Sequence, residues 1–233
     1  MAYQRDWKPV PAGYSRHWNG GGVVEHTACV SRSVYVSEYS VVWGFARVTG
    51  KVRIESGRVG GHASVRGSAV IRGSVFGSAE IYDNATIEKD AKVYGNALIY
   101  GDAKVLDSAD VFGDARIYGH AVVGDSAIVS QQAIICGNSC VNDFAVVCGN
   151  AHVSGNAKIC GYARVSENAS VTGDAIVRQR AKVYGTAKVL GSALLSGSCK
   201  VFENATVDGT VEVLGRAELC GESIVTGTVV CTP

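Results

Sequence analysis

The chain has 233 residues, with 22 Lys and Arg against 21 Asp and Glu and a formal net charge of +1. Such a balance provides no global field to attract nucleic acid or an anionic membrane, so neither is an expected partner. No apolar stretch nears the roughly 20 residues needed to span a bilayer, and the polar start MAYQRDWKPV lacks the apolar core of a signal peptide, so the expected location is cytoplasmic.

In chain order, residues 1–21 have no repeat and carry Trp7, Tyr14 and Trp18 with two prolines, Pro9 and Pro11, a composition suited to an N-terminal cap across an open end. From 22 to 233 one unit recurs. Val24, Val30, Val36, Val42, Val48 and Ile54 fall six residues apart. The register slips near 54–59, giving Val59, Val65 and Ile71, and again near 71–75. Both joints are shortened, so neither can project a loop. From Val75 to Cys231 the sixfold register is unbroken: 26 of 27 positions are Val, Ile or Leu, and 21 of the 27 residues two places earlier are Ala. No helix keeps that period.

In AKVYGNALIYGDA, residues 91–103, Ala and the following aliphatic residue are two apart and so share one side of a strand, while the residue between them faces the other way. The next two positions are rich in Gly, Asn, Asp and Ser, as at Gly95-Asn96, Gly101-Asp102, Gly149-Asn150 and Gly173-Asp174, which tolerate the positive φ of a tight corner. Each hexad therefore reads as a short strand plus a corner. A unit this small cannot bury its apolar side without stacked neighbours. The predicted fold is all-β, a single-domain parallel β-helix shaped as a triangular prism. With three hexads per coil, residues 18 apart lie above one another at roughly 4.8 Å. All three prolines fall outside the repeat, as ladders that use every backbone donor require.

The hexads resemble those of the hexapeptide-repeat, left-handed parallel β-helix proteins over about nine-tenths of the chain. The opening HWNGGGVVEHTACV, residues 17–30, followed by many Ala-x-Val-x-Gly-Asn units, resembles the YdcK-like proteins of bacteria and their phages, which are grouped with acyltransferases. Left-handed winding is implied by the resemblance and runs against the usual right-handed crossover; the spacing alone leaves a right-handed helix open. The resemblance further implies a trimer as the favoured homo-oligomer, and a virion location if the chain is phage-encoded. Family acyltransferases use a histidine as general base in a cleft between subunits. Of His17, His26, His62, His120 and His152, none is followed by an acidic or amide residue of the kind that often accompanies that base, and no inserted loop is available for acyl-CoA. His120, at a corner, is the best of a weak set. No cofactor is expected.

The eight cysteines read as free thiols, with Cys199 and Cys231 facing inward and Cys136, Cys140, Cys148 and Cys160 outward but badly placed for bridging. No Cys-x-x-Cys pair or histidine trio points to a metal. The outer columns carry the partner expectations. One face stacks Phe76, Tyr94 and Phe112, then Ile128, Val146 and Cys148, then the basic group Arg164, Lys182 and Lys200 beside Tyr184 and Phe202. A second stacks Tyr82, Tyr100 and Tyr118, and a third is apolar at Ile176, Leu194, Leu214 and Val230. A girdle of Val122, Ile128, Ile134, Cys140 and Val146 crosses all three.

Such columns can be stiffening ladders, a subunit interface at Phe76, Tyr94, Phe112, Ile128, Val146, Ile176, Leu194 and Leu214, or a platform for sugars or bases. The repeat runs to Cys231 without a closing segment, so a further subunit or partner is expected over the last coil. The leading expectation is a non-catalytic structural or binding prism that assembles with itself or a larger particle. An acyltransferase working at subunit clefts is the alternative. A third reading is a binder of a nucleotide or acidic glycan through Arg164, Lys182, Lys200, Tyr184 and Phe202.

Overall fold

A computed structural model describes residues 10–227 and the backbone of Val230 and Cys231. Trp7, Pro9, Pro233 and the side chains of Val230 and Cys231 lie outside the described residues. Among those described there is no helix. Strands of two or three residues form three flat sheets of 13, 12 and 12 strands. These sheets are the three faces of the prism, and the parallel β-helix predicted from the hexads is the observed fold. The first face begins at Val23–Glu25, the second at Cys29–Val30 and the third at Tyr35–Val36, and the chain visits them in that order in every coil.

Ala and Val or Ile point inward because a strand's side chains alternate. From Val34 to Val213 the interior positions are fully buried, including Ile54, Ile117, Ala121 and Cys199. Each buried aliphatic side chain contributes about 2 kcal/mol. Burial also pushes the Cys199 thiol up to about 11, which suits its place as one more apolar residue in the Ala column. Backbone donors run from one coil to the next, as in Lys92 N–H to Ala109 O at 3.0 Å, so each coil is completed by its neighbour. The seven described cysteines are free.

The corners follow a stricter rule than the sequence predicts. Where a corner pair of the regular coils takes positive φ, it is at the first residue: Gly95 has φ 71°, whereas its neighbour Asn96 instead donates through Nδ2 to Asp114 Oδ1, one coil on, at 3.0 Å. Among the described residues eight non-glycine residues also take positive φ, and all are Asp, Glu or Gln: Asp83, Asp107, Asp125, Gln131, Asp143, Glu167, Gln179 and Glu203. For seven of them a side-chain oxygen accepts the backbone N–H of the residue 18 further on, at 2.6–3.3 Å, as Asp143 Oδ2 accepts from Gly161 at 2.8 Å. That N–H points along the prism axis, outside the ladder. An acidic or amide side chain thus offsets the strain of its own backbone by satisfying the next coil's donor.

The two register slips fall on successive coils at one edge, where the third face turns into the first. That corner has four residues at 37–40, three at 55–57, two at 72–73 and four again at 88–91. Consequently Val41 stands opposite Arg58 and Arg58 opposite Ser74, separations of 17 and 16, before Ser74 pairs with Lys92 at the regular 18. The edge is notched there, and the notch is laced by ions. Arg72 Nε lies 2.7 Å from Glu55 Oε2 and its Nη1 2.5 Å from Glu88 Oε1, while Arg53 Nε lies 2.9 Å from Glu55 Oε1.

Before the first coil, Tyr14–Arg16 pairs antiparallel with Val23–Glu25 and extends the first face by one strand. The connecting turn, residues 17–22, is held on the first coil by Gly22 N–H to Val36 O at 2.9 Å and Asn19 Nδ2 to Val34 O at 3.1 Å. Gly20 is required here. Its φ is 105°, and a Cβ would stand 2.3 Å from Val36 O.

Candidate functional site

The turn and the edge beside it line an open groove of about 1010 Å³. Its walls include Arg16 at the end of the first strand, His17 and Trp18 from the turn, Glu38 and Tyr39 from the full corner, and Glu55 from the first shortened one. Trp18 donates its indole N–H to Arg32 O at 2.9 Å, which fixes the ring although the residue is 76% exposed; Tyr39 is also 76% exposed. Arg16 is held on Gly21 O at 2.8 Å and the His17 ring lies 3.2 Å from Asn19 O. The Glu38 carboxylate beside Tyr39 raises that phenol above its ordinary range. Burial pushes the Glu55 carboxyl up, but hydrogen bonds and charge from Arg72 and Arg53 outweigh it and hold the group below its ordinary value. Of these residues, sequence analysis singled out only Trp18 and His17, as parts of a cap. The signal for the rest was present in the shortened joints: a missing corner residue leaves a recess.

On the first face, Phe76, Tyr94 and Phe112 stack with centroids 5.0 Å apart, as do Tyr184 and Phe202. Trp43 continues that column downward and lies flat over Gly60, where a Cβ would meet the indole at 1.9 Å. Rings in these ladders are half-buried by one another. The basic group is registered as expected, Arg164 opposite Lys182 and Lys182 opposite Lys200. It has an acidic end: Lys200 Nζ lies 2.6 Å from Glu218 Oε1, and Arg164 donates toward Cys148 Sγ at 3.4 Å. On the third face Ile176 stands opposite Leu194, and Leu194 opposite Glu212; Leu214 sits two residues further along the same strand line.

Apolar surface reaches solvent at Ile224 and Phe45 and, within the girdle, at Ile128. Ile128, 36% exposed, is registered against Val146 on the first face, and Val122 against Cys140 on the third. Exposed Phe144 occupies the corner between those faces and stacks on exposed Tyr162 at 5.0 Å. Sequence analysis passed over both rings because they occupy corner positions, where polar residues dominate.

His120 is exposed at a corner between the second and third faces, and its Nδ1 lies 3.4 Å from Asp102 Oδ2, one coil below. The acidic companion that is missing along the chain is thus supplied by stacking, at a spacing of 18. His152 points outward with Nε2 3.5 Å from Cys136 Sγ. The column Tyr82, Tyr100 and Tyr118 stacks at 4.9 Å. A hydrogen bond with Cys136, together with burial, pushes the Tyr118 phenol up to about 12. Among the described residues no group of three or more His, Cys, Asp or Glu could hold a metal ion, and no helix is long and apolar enough to cross a membrane.

Sheets, hexads and corners of this kind define a β-solenoid of the hexapeptide-repeat type. Within it, residues 115–131 match the family model of the YdcK β-solenoid repeat. Among curated proteins none matches the chain. Among solved structures, the UDP-N-acetylglucosamine acyltransferase of Francisella novicida is similar over 82% of this chain, with 15% identity and a TM-score of 0.29. The chain spans 66% of that protein's length.

Proposed function

We propose that this protein is a rigid, non-catalytic prism that assembles with itself, or into a larger particle, through its side. The observation that carries this reading is the apolar belt of Ile128, Val146, Phe144 and Tyr162, which stands at mid-height on a flat face and its adjoining corner. A contiguous apolar patch on an otherwise polar surface is the mark of a contact. Regular coils give such a contact stiffness, since every corner between Val34 and Thr226 is short. A trimer with the belts turned inward is the closed arrangement favoured by the resemblance to hexapeptide-repeat proteins, and a two-fold dimer is the simpler alternative. Ile128→Glu places a charge at the centre of the belt, and its expected effect is dissociation to monomers in sedimentation velocity with the fold intact. Unchanged assembly in that variant would remove the belt as the contact.

A second reading is an acyltransferase acting at subunit clefts, favoured by the His120–Asp102 pair, in which a carboxylate would orient the imidazole as a base. Turnover of acyl-CoA that is abolished by His120→Ala would establish this reading in place of the first.

A further inference from the structure

We propose that the groove between the 17–22 turn and the notched edge is a binding site for a neutral saccharide. The inference is independent of assembly, because the groove is built within one chain and lies far below the belt in coil order.

Three observations point there. The first is shape: the 17–22 turn, the full corner at 37–40 and Glu55 of the first shortened corner line one open groove at the same edge of the prism. The resulting space, about 1010 Å³, reaches the upper end of the roughly 300–1,000 Å³ usual for small-ligand sites. It has room for more than one sugar ring.

The second is the state of the two rings. Elsewhere on this surface most aromatic side chains lie in stacks: Phe76 with Tyr94 and Phe112, Tyr82 with Tyr100 and Tyr118, Tyr184 with Phe202, Phe144 with Tyr162, and Phe45 with His62. Trp18 and Tyr39 enter none of these stacks, and both are 76% exposed at one cavity. Trp18 is nevertheless fixed by its bond to Arg32 O, so its ring is presented in advance of any ligand. A ring face is electron-rich, and the weakly positive C–H face of a pyranose is its natural complement.

The third is the polar set. Glu38 and Glu55 offer carboxylate acceptors for hydroxyl protons, and Arg16 and His17 bring nitrogen groups to the same wall. Glu55 is held in place by Arg53 and Arg72, so its remaining acceptor capacity is preorganised. Because Arg53 and Arg72 already neutralise Glu55, the wall offers no strong field of either sign, and the choice of a neutral, hydroxyl-rich ligand rests on the exposed rings and the carboxylate acceptors.

The test is calorimetric titration of the full-length protein with short neutral hexose oligomers, with uronic-acid oligomers and spermidine as comparators. Binding of at least one neutral oligomer is expected, weakened tenfold or more by Trp18→Ala and by Tyr39→Ala. Phe45→Ala, which removes an exposed ring at another corner, should leave the affinity unchanged. Glu38→Gln keeps the side-chain volume and should weaken binding severalfold while leaving the circular dichroism spectrum unaltered, which separates a lost contact from a lost fold. The proposal is overturned if no neutral oligomer binds at millimolar concentration, if binding survives Trp18→Ala undiminished, or if the comparators bind in preference.

Discussion

Asp143 offers a direct test of how the corners are held. Its backbone has φ 59°, its carboxylate accepts the Gly161 N–H at 2.8 Å, and its own N–H donates to Asp125 Oδ2 at 3.0 Å. Left-handed backbone costs an ordinary L-residue about 1–2 kcal/mol, and Asp and Asn tolerate it better than Ala. The carboxylate bond is solvent-exposed, so its loss costs about 0.5–1 kcal/mol, near the low end for a hydrogen bond. Asp143→Ala loses the bond and adds the extra cost that Ala bears over Asp in the left-handed region, for a total of about 1–2 kcal/mol. Asp143→Asn keeps an acceptor and should cost under about 0.5 kcal/mol, while Asp143→Gly loses the bond but relieves the strain and should fall between them. Urea unfolding monitored by circular dichroism gives the order as midpoints, highest for Asp and Asn, then Gly, then Ala. If Ala unfolds at the same midpoint as Asn, neither the strain nor the bond matters, and the corner rule fails.

Gly60 tests the aromatic column. Its φ lies outside the left-handed region, so the cost of Gly60→Ala comes from the 1.9 Å approach to Trp43. Overpacking of this kind costs about 1–3 kcal/mol; in a Trp43→Ala background the same change should cost under about 0.5 kcal/mol, and equal costs in both backgrounds would show that the indole does not lie over Gly60. Glu55 gives a pH test. Its folded pKa is below the ordinary 4.5 despite burial, so its contribution to stability is complete above that value and is lost as the pH falls through the lowered one. Glu55→Gln should therefore destabilise the protein at neutral pH and become nearly silent in acid; a penalty independent of pH would refute the ionic account of the notch.

The barrel itself was legible in the sequence because inside and outside alternate within a hexad: Ala115 and Ile117 are buried, and Arg116 between them is exposed. Corner chemistry was half legible. Gly, Asn and Asp marked the turns, but the division of labour, positive φ at the first position and a side-chain ladder at the second, depends on contacts between coils. A spacing of 18 contains that information, and read at 18 the sequence pairs Asp102 with His120. The groove was not legible in this way. Trp18, Glu38 and Glu55 meet because a turn folds back on a corner whose successors are each one residue shorter, and no periodicity relates them. Exposure was also hidden: outer-column residues such as Phe76 and Leu194 are half-buried by their neighbours, while the more exposed rings of Tyr39 and Phe144 occupy corners.

The central claim is that a rigid prism associates through its side. Multi-angle light scattering of the purified protein measures this most directly, against a chain mass of 24.3 kDa. A mass that is an integral multiple of the chain, reverting to one chain in Ile128→Glu, is the predicted result. A wild-type protein that remains a single chain at micromolar concentration and above would contradict self-assembly.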